Sequence, residues 1–302
     1  MLTNYANIDR LIDGQIQKNP KHEAFLRRRF ADISAAEGAS LDTLAGQIIQ
    51  LSNGNLDEFY DGYEFICNIQ KEEELYFRRN KDYRLKSFQE ALDQIYSNAP
   101  YMEAYMRGLL VTQLFWSNHS DSIAFYTDTF LKSLPQGASL LEIGPGHGLL
   151  FARAVQQLGH GAVTGWDVSD SSLGHTRAAL ASLGVTDGFT LKSRNLFGEG
   201  DETFDAVVFS EVLEHLETPA EAIASIRKLI KPDGKLFLNV PINSPAPDHI
   251  FLLRSPEETF ELIESQGFKV VDTGCFPATN YSLEQARKHA LTISVCVIAT
   301  PA

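Results

Sequence analysis

The chain has 302 residues, of which 44% are hydrophobic and 22% charged, a composition typical of a globular protein with one large or two modest domains. Its formal net charge of −13 argues against a nucleic acid or an anionic membrane as the main partner. The widely separated Cys67, Cys275 and Cys296 favour neither a disulfide framework nor a cysteine-rich zinc site. The start of the chain lacks the layout of a signal peptide, and no apolar run reaches membrane-spanning length, so we expect a cytoplasmic protein.

Residues 1–134 are predicted to form one helix after another. Apolar residues recur every three or four positions along 5–17, which is the spacing of a helix with one buried face. Ser40 is the predicted cap of a helix over 41–51, and Asn55 that of the next helix. The segment 101–116 is apolar on all sides and is expected to be buried on several of them. A last helix is predicted from Ser120 to Leu134.

From residue 139 onward, short apolar strands alternate with helices. The predicted strands cover 139–144, 162–168, 189–194, 204–210 and 234–240, and the helices between them cover 148–159, 170–183 and 219–231. This alternation predicts an α/β fold in which helices cover both faces of a parallel sheet. A helix over 256–266 and two strands over 268–273 and 291–300 follow, and they predict a closing antiparallel pair.

The first predicted strand runs into a glycine-rich turn, Glu142-Ile-Gly144-Pro-Gly146-His-Gly148. Glycine permits a positive φ angle and lets a ligand approach the backbone closely, and the helix that follows offers free N–H groups at its start. The dinucleotide fingerprint does not fit, because Leu149 stands where its third glycine would fall, and no P-loop lysine follows. A purely structural turn is the alternative interpretation.

Polar residues follow the next two strands. Asp167, with Val168 beside it, ends the second strand, where a doubly wound fold places the acid that accepts ribose hydroxyl groups. An ordinary helix cap is the alternative role for Asp167. Asn195 and Leu196 end the third strand, where they could meet an adenine amine and ring, although a loop asparagine is also common for turn reasons alone.

The fourth strand begins at Phe204-Asp205 and ends in Ser210-Glu211-Val-Leu-Glu214-His215, and a Lys-Pro-Asp-Gly turn precedes the fifth. These motifs, with the glycine turn and Asp167, resemble in the same order those of class I S-adenosylmethionine (SAM)-dependent methyltransferases, in the ubiquinone-biosynthesis-like branch. The resemblance covers residues 135–302 and implies a Rossmann-like sheet of seven strands in the order 3-2-1-4-5-7-6. It implies SAM as cofactor and S-adenosylhomocysteine as product. The implied SAM-binding residues are Glu142, Gly144, Pro145, Gly146, Gly148, Asp167, Val168, Asn195, Leu196, Ser210 and Glu211. Asn195 stands where many relatives carry aspartate.

Two histidines follow the fourth and fifth strands, at the sheet edge where ligands bind in such folds. Methyl transfer is an in-line displacement, and a base assists when the acceptor must lose a proton. We predict that His249 is this base and that the adjacent Asp248 contacts the substrate, with His215 as the second catalytic candidate. An inert loop residue is the alternative for His249, and a structural or cofactor-side histidine is the alternative for His215. His119, His215 and His249 with Asp248 could form a metal site, but no short-range ligand spacing supports one, so we predict no metal.

The resemblance implies that a helical extension such as residues 1–134 covers the acceptor site or forms a homodimer, with 135–302 as the SAM-binding domain. Core packing is the alternative for the aromatic residues of this region. The predicted substrate-lining residues here are Tyr101, Tyr105, Trp116, His119 and Tyr126. An apolar pocket and an acidic chain favour a small-molecule acceptor, methylated on oxygen, nitrogen or carbon. The alternatives are a SAM-binding enzyme of non-methylating chemistry and an inactive SAM-binding partner subunit.

Overall fold

The computed structural model describes residues 3–159, 161–198 and 202–302, and the chain begins with a helical region. Within the described part of this region, the α-helices are α1 (Ala6–Lys18), α2 (Glu23–Arg29), α3 (Ala35–Leu51), α4 (Leu56–Asn80), α5 (Phe88–Ala91), α6 (Ala99–Phe115) and α7 (Ser117–Phe125). Helices α4 and α6 cross closely because Gly62 and Gly108 face each other there. A Cβ atom on either glycine would collide with the backbone of the other helix. Among the described residues, no helix combines the length and the apolar character that crossing a membrane requires.

Two helix starts in this region differ from the predictions. Helix α3 begins six residues before the predicted position, because the Ser34 hydroxyl group accepts a hydrogen bond from the Glu37 N–H (3.2 Å) and caps the helix there. Ser40 therefore lies inside α3. Helix α7 begins at Ser117, directly after the extended backbone of Trp116, rather than at Ser120. It ends at Phe125, and a π-helical turn (Tyr126–Phe130) and a 3₁₀ turn (Leu131–Ser133) continue the chain.

The second part of the chain forms one seven-stranded sheet. Its strands are β1 (Leu140–Ile143), β2 (Val163–Asp167), β3 (Phe189–Ser193), β4 (Phe204–Ser210), β5 (Ile230–Ile242), β6 (Phe268–Pro277) and β7 (Ile293–Pro301). Its helices are α8 (Leu149–Leu158), α9 (Asp170–Ser182), α10 (Pro219–Leu229), α11 (Pro256–Ser265) and α12 (Leu283–His289). The strand order is β3-β2-β1-β4-β5-β7-β6, as predicted.

Strands β1 to β5 pair in parallel, and β7 runs antiparallel to both β5 and β6. The predicted closing antiparallel pair is therefore present. Strand β5 begins at Ile230, four residues earlier than predicted, so the Lys-Pro-Asp-Gly segment lies within it. The pairing of β5 with β4 shifts register between Phe204 and Ala206, which accommodates the additional residues of that segment.

The two faces of the sheet bury different clusters. On one face, the strands share a buried core with the N-terminal helices, and its members include Phe115, Tyr126, Phe130, Leu140 and Phe237. The opposite face packs against α10 and α11, and its members include Ile223, Ile226, Leu236, Leu238 and Ile263. The helical region and the sheet therefore share one continuous core, and the division at residue 134 stays a proposal.

Candidate active site

A cavity of about 260 Å³ lies at the carboxyl ends of β1, β4 and β5, on the sheet face that the N-terminal helices cover. Residues of the sheet and its loops form one wall, among them Gly144, Gly146, Ser210, Glu211 and His249. The helical region forms the other wall, among them Tyr96, Met102, Tyr105, Met106, Leu109 and His119. Ligands in such sheets bind beyond the carboxyl ends of the strands, so the cavity is the candidate active site.

The glycine turn lies at one end of the cavity. Gly144 and Gly146 adopt positive φ angles of 68° and 49°, which side chains with a Cβ atom rarely tolerate. A Cβ on Gly144 would lie 2.9 Å from the Val212 side chain, whereas a Cβ on Gly146 would make only an ordinary contact, 3.9 Å from the Gly144 carbonyl oxygen. Gly148 directly precedes α8 and lies outside the lining of the cavity. The turn thus leaves its backbone accessible where the cavity meets the start of a helix.

Glu142 lies on the cavity wall just before this turn. Its position in β1 places it on the same sheet face as Leu140, toward the helical region. Its side chain is buried, and its Oε2 atom has no hydrogen-bond partner among the described residues. Burial raises the pKa of Glu142 to about 8. A carboxyl group in this situation is suited to a cationic ligand, which would restore its ionised form.

The residues that end β2 and β3 lie outside the cavity lining but on the same sheet edge. The Asp167 carboxylate accepts a hydrogen bond from the Ser169 N–H (2.8 Å), and burial raises the pKa of Asp167. Ser169, not Asp167, caps α9, because its hydroxyl accepts the Ser172 N–H (3.2 Å). Val168, which follows Asp167, is 67% exposed. Two residues after β3, the Asn195 side chain accepts a hydrogen bond from the Phe197 N–H (2.9 Å), which is the local turn role named as the alternative.

Ser210 and Glu211 end β4 at the centre of the site. The Asn239 side-chain amide on β5 donates to the Ser210 hydroxyl (3.2 Å) and to the Glu211 carboxylate (2.9 Å). Glu211 has a positive φ of 55°, which is unfavourable for a residue with a long side chain. Asn239 thus orients the carboxylate of Glu211, whose backbone is strained and whose side chain lines the cavity. The sequence did not reveal this hydrogen bond.

At the other end of the cavity, Glu214, His215 and His249 form a cluster. The Nε2 atoms of His215 and His249 lie 3.8 Å and 4.0 Å from the same oxygen, Oε1 of Glu214. The two imidazole ring centres are 5.0 Å apart. Burial lowers the pKa of His249 to about 4, so its ring is neutral at pH 7. The predicted catalytic histidines therefore lie together, in contact with a buried carboxyl group that was not among the predicted site residues.

Asp248 is buried and bound by the helical region. Its two carboxylate oxygens accept hydrogen bonds from the Tyr105 hydroxyl (3.2 Å) and the Tyr96 hydroxyl (3.3 Å). Burial, reinforced by this carboxylate, raises the pKa of both tyrosines, so both remain donors. Asp248 lines the cavity, and both of its carboxylate oxygens accept hydrogen bonds from these tyrosines, so its contact with the substrate stays a prediction.

The other aromatic predictions have different outcomes. His119 lines the cavity, with its Nδ1 atom 3.0 Å from the Thr112 hydroxyl oxygen, and burial lowers its pKa to about 4. Tyr101, Trp116 and Tyr126 are outside the lining. Their contacts fit the alternative of core packing: Tyr101 stacks on Tyr105, the Trp116 indole donates to Tyr63 (3.3 Å), and Tyr126 packs on Phe237 (ring centres 5.0 Å apart).

Comparison with known proteins shows which class of enzyme this fold and site belong to. A family model described as a methyltransferase domain matches residues 115–285, more than half of the chain. The chain belongs to this family, and it is a class I SAM-dependent methyltransferase with SAM as its cofactor.

Curated relatives share part of this sequence. A protein of Photobacterium profundum named ubiquinone biosynthesis O-methyltransferase is 31% identical over 129 residues, which are 42% of this chain and 53% of the relative. A protein of Caulobacter vibrioides with the same name is 36% identical over 104 residues, which are 34% of this chain and 40% of the relative. The chain thus spans about half or less of the length of the curated relatives it matches.

Among solved structures, the cyclase SpnF has the same fold, with a TM-score of 0.50 and 18% identity over 61% of this chain and 82% of that chain.

Proposed function

We propose that the chain transfers the methyl group of SAM to an oxygen atom of a small molecule held in the cavity between the glycine turn and the helical region. The observation that carries the proposal is that the lining of one cavity includes both Gly144 and Gly146 of the glycine turn and the two histidines His215 and His249. Donor and acceptor ends within one enclosed space are what an in-line displacement requires, because the reacting atoms must be aligned and close together.

The cofactor end fits SAM in three respects. The positive-φ glycines leave the backbone open at the start of α8, and Asp167 ends β2 at the ribose position. The buried, unpartnered oxygen of Glu142 suits a ligand that carries positive charge. SAM supplies a methyl group on a positively charged sulfur, and the role of the chain at this end is to bind and orient it. The remaining proposed contacts are Pro145, Gly148, Val168, Asn195, Leu196, Ser210 and Glu211.

The acceptor end is suited to a small molecule. Met102, Leu109 and Ile123 supply apolar wall there, and the enclosed volume excludes a folded protein or a nucleic acid duplex. The net charge of −13 also disfavours nucleic acid. We favour oxygen over nitrogen or carbon as the methylated atom because the curated relatives are named O-methyltransferases. A homodimer through the helical region stays a prediction, as does a cytoplasmic location.

His249 and His215 are the proposed residues that face the acceptor oxygen. The Nδ1 atom of His249 lies 2.7 Å from the Ser244 carbonyl oxygen, which can only accept, so Nδ1 carries the proton and Nε2 carries the free lone pair. This lone pair points into the cluster at the acceptor end. The low pKa of His249 limits the driving force for proton uptake by this ring, so its role as the base remains a prediction.

The test is to incubate the purified chain with SAM labelled in its methyl group and with a panel of phenols, alcohols, amines and a metabolite extract. We expect label in a small product that carries a new O-methyl group, and no label in protein or RNA. A matched variant, Gly146→Val, should abolish labelling by closing the cofactor end. SAM binding without any labelled product would favour the inactive-partner alternative. An altered product without label would favour non-methylating chemistry.

A further inference from the structure

We propose that Glu214, His215 and His249 bind a divalent transition-metal cation, and that this cation binds the acceptor hydroxyl group. The cation site stands on its own geometry, whereas its role toward the acceptor rests on the function proposed above. The sequence predicted no metal here. The one ligand set considered from sequence, His119, His215 and His249 with Asp248, shares its last two histidines with the cluster that the fold assembles, but it lacks Glu214.

The three side chains have the spacing of metal ligands. One ligand atom from each lies within 4.8 Å of the other two. A tetrahedral ion with bonds of about 2.1 Å holds its ligand atoms roughly 3.4 Å apart. The separations of 3.8 Å and 4.0 Å from Glu214 Oε1 to the two Nε2 atoms therefore need to close by about half an ångström. Two histidines and one carboxylate that leave positions open are an established ligand set for first-row transition metals.

The second, independent observation is that the Glu214 carboxyl group is buried without a hydrogen-bond partner. Its side chain is fully buried, and neither carboxylate oxygen has a hydrogen-bond partner among the described residues. A buried polar group without a partner is costly, and a buried carboxylate is normally paired or bound to a metal. The two histidine Nε2 atoms that face Glu214 are too distant to donate to it. A cation between the three groups would satisfy the carboxylate and both lone pairs at once.

Both histidines are also held in the protonation state that a metal ligand needs. Nδ1 of His249 lies 2.7 Å from the Ser244 carbonyl oxygen, and Nδ1 of His215 lies 3.0 Å from the Asp248 carbonyl oxygen. A carbonyl oxygen can only accept, so these contacts favour the tautomer with the proton on Nδ1 and the free lone pair on Nε2, the atom nearer Glu214. The Tyr96 hydroxyl also lies 3.3 Å from Nδ1 of His215, but it has Asp248 as its acceptor. A backbone carbonyl behind each ring is the usual arrangement around metal-bound histidines, where it fixes the ring and raises its basicity.

The cluster is rigidly assembled by two segments of the chain. Glu214 and His215 lie on the 3₁₀ turn after β4, and His249 lies on the loop after β5. The backbone N–H groups of Ile250 and Phe251 both donate to the Glu214 carbonyl oxygen, at 2.9 Å and 3.0 Å, and this ties the loop to the turn. All three side chains line the cavity, so the open positions of a bound cation would face the acceptor.

A cation in this position would lower the pKa of a hydroxyl group bound to it. The hydroxyl proton leaves to solvent water, the oxygen forms a bond to the methyl carbon, and the electron pair of the broken carbon–sulfur bond remains on sulfur. In this scheme the Nε2 atom of His249 is bonded to the cation. His249 then holds the cation instead of taking the proton.

The test uses the full chain without an affinity tag, stripped with a chelator, and titrates Zn²⁺ by calorimetry in the absence of SAM. We expect one ion per chain, and an affinity reduced more than about 100-fold in Glu214→Gln and in His249→Ala. His119→Ala is the matched control, since it removes a cavity histidine outside the cluster and should bind Zn²⁺ as the unmodified chain does. Co²⁺ should show visible absorption bands of nitrogen-bound, low-symmetry cobalt that Glu214→Gln lacks.

Binding that is absent, or that persists in both ligand variants, would overturn the site. Folding is checked separately: Zn²⁺ should raise the melting temperature of the unmodified chain and of His119→Ala, but not that of Glu214→Gln. If the stripped chain methylates its acceptor at an unchanged rate, the role of the cation toward the acceptor is wrong while the proposed function stands. If Zn²⁺ binds as expected but no acceptor is methylated, the proposed function fails and the cation site stands.

Discussion

The hydrogen bonds from the helical region to Asp248 give the sharpest test of how that region supports the site. Tyr105→Phe and Tyr96→Phe each remove one donor to a carboxylate that is 4% exposed. Both hydrogen bonds are long for O–H···O contacts, at 3.2 Å and 3.3 Å. The loss of either should therefore lower the free energy of unfolding by about 1.5 kcal/mol, the lower limit for hydrogen bonds to charged groups. Because the two tyrosines share Asp248, the double variant should lower the free energy of unfolding by about 1 kcal/mol more than the two single variants together.

The assay is urea unfolding of the two single variants and the double variant, with kcat and SAM affinity measured in parallel. Tyr101→Phe is the matched control, because Tyr101 lies on the same helix and stacks on Tyr105 (ring centres 6.2 Å apart) without a hydrogen bond to Asp248. We expect the control to change the free energy of unfolding by less than about 0.5 kcal/mol. We also expect turnover to fall in the Asp248-linked variants while SAM affinity stays constant. Equal effects of Tyr101→Phe and Tyr105→Phe would refute the reasoning.

Three further predictions concern single residues. Asp167→Ala should weaken SAM binding by roughly 1–3 kcal/mol, because buried ligand hydroxyl groups lose their acceptor; unchanged affinity in calorimetry would remove Asp167 from the site. His249→Ala should lower kcat by ~10²–10⁴ with SAM affinity nearly unchanged, whether its Nε2 atom takes the acceptor proton or holds the cation. An acidic limb of the kcat–pH profile that persists in the variant would show that His249 is not the base. Although burial acts in the opposite direction, hydrogen bonds from Lys231 (2.8 Å) and Ser139 lower the pKa of Asp205 to about 2. The stability that Asp205 contributes is therefore present above pH 4 and lost as the pH falls toward 2. Asp205→Asn should destabilise the chain by about 1 kcal/mol at pH 7, a value that allows for screening of this partly exposed pair, and by much less at pH 2, as measured by urea unfolding.

The sheet could be predicted from sequence because its signals are local. Each strand is a short apolar run that a turn or a helix follows, which predicts the parallel sheet. The strand order was not local information: it was implied by the resemblance of the strand-end motifs to those of class I SAM-dependent methyltransferases. Helix starts were less predictable. Ser34 and Ser40 are equally good caps by residue type, and only the contact of the Ser34 hydroxyl with Glu37 shows which one is used. The start of α7 depends on the extended backbone at Trp116, which side-chain periodicity does not report.

The cofactor end of the site was more predictable than the acceptor end for a physical reason. Gly144 and Gly146 are required by backbone geometry, which residue type reveals directly. The helical segments that carry these aromatic residues have apolar side chains on several faces. Periodicity therefore could not separate Tyr105, which lines the cavity, from Trp116 and Tyr126, which do not. Glu214 was visible beside His215 in the sequence, but its importance depends on burial and on His249, which lies on another loop.

The loop after β5 connects the helical region to the two histidines, so a change in the contacts of the helical region should also affect turnover. Asp248 and His249 are neighbours in this loop, yet their side chains have different partners: Asp248 binds the two tyrosines of the helical region, and His249 contacts Glu214 at the end of β4. The Asp248 carbonyl oxygen also accepts the Nδ1 proton of His215. A displacement of the loop therefore changes both histidines at once, whereas the glycine turn after β1 has its own support, a hydrogen bond from the Thr176 hydroxyl to the Gly146 carbonyl (2.8 Å). Because the two ends of the cavity are held by separate contacts, perturbing the tyrosines should lower turnover and leave SAM affinity unchanged.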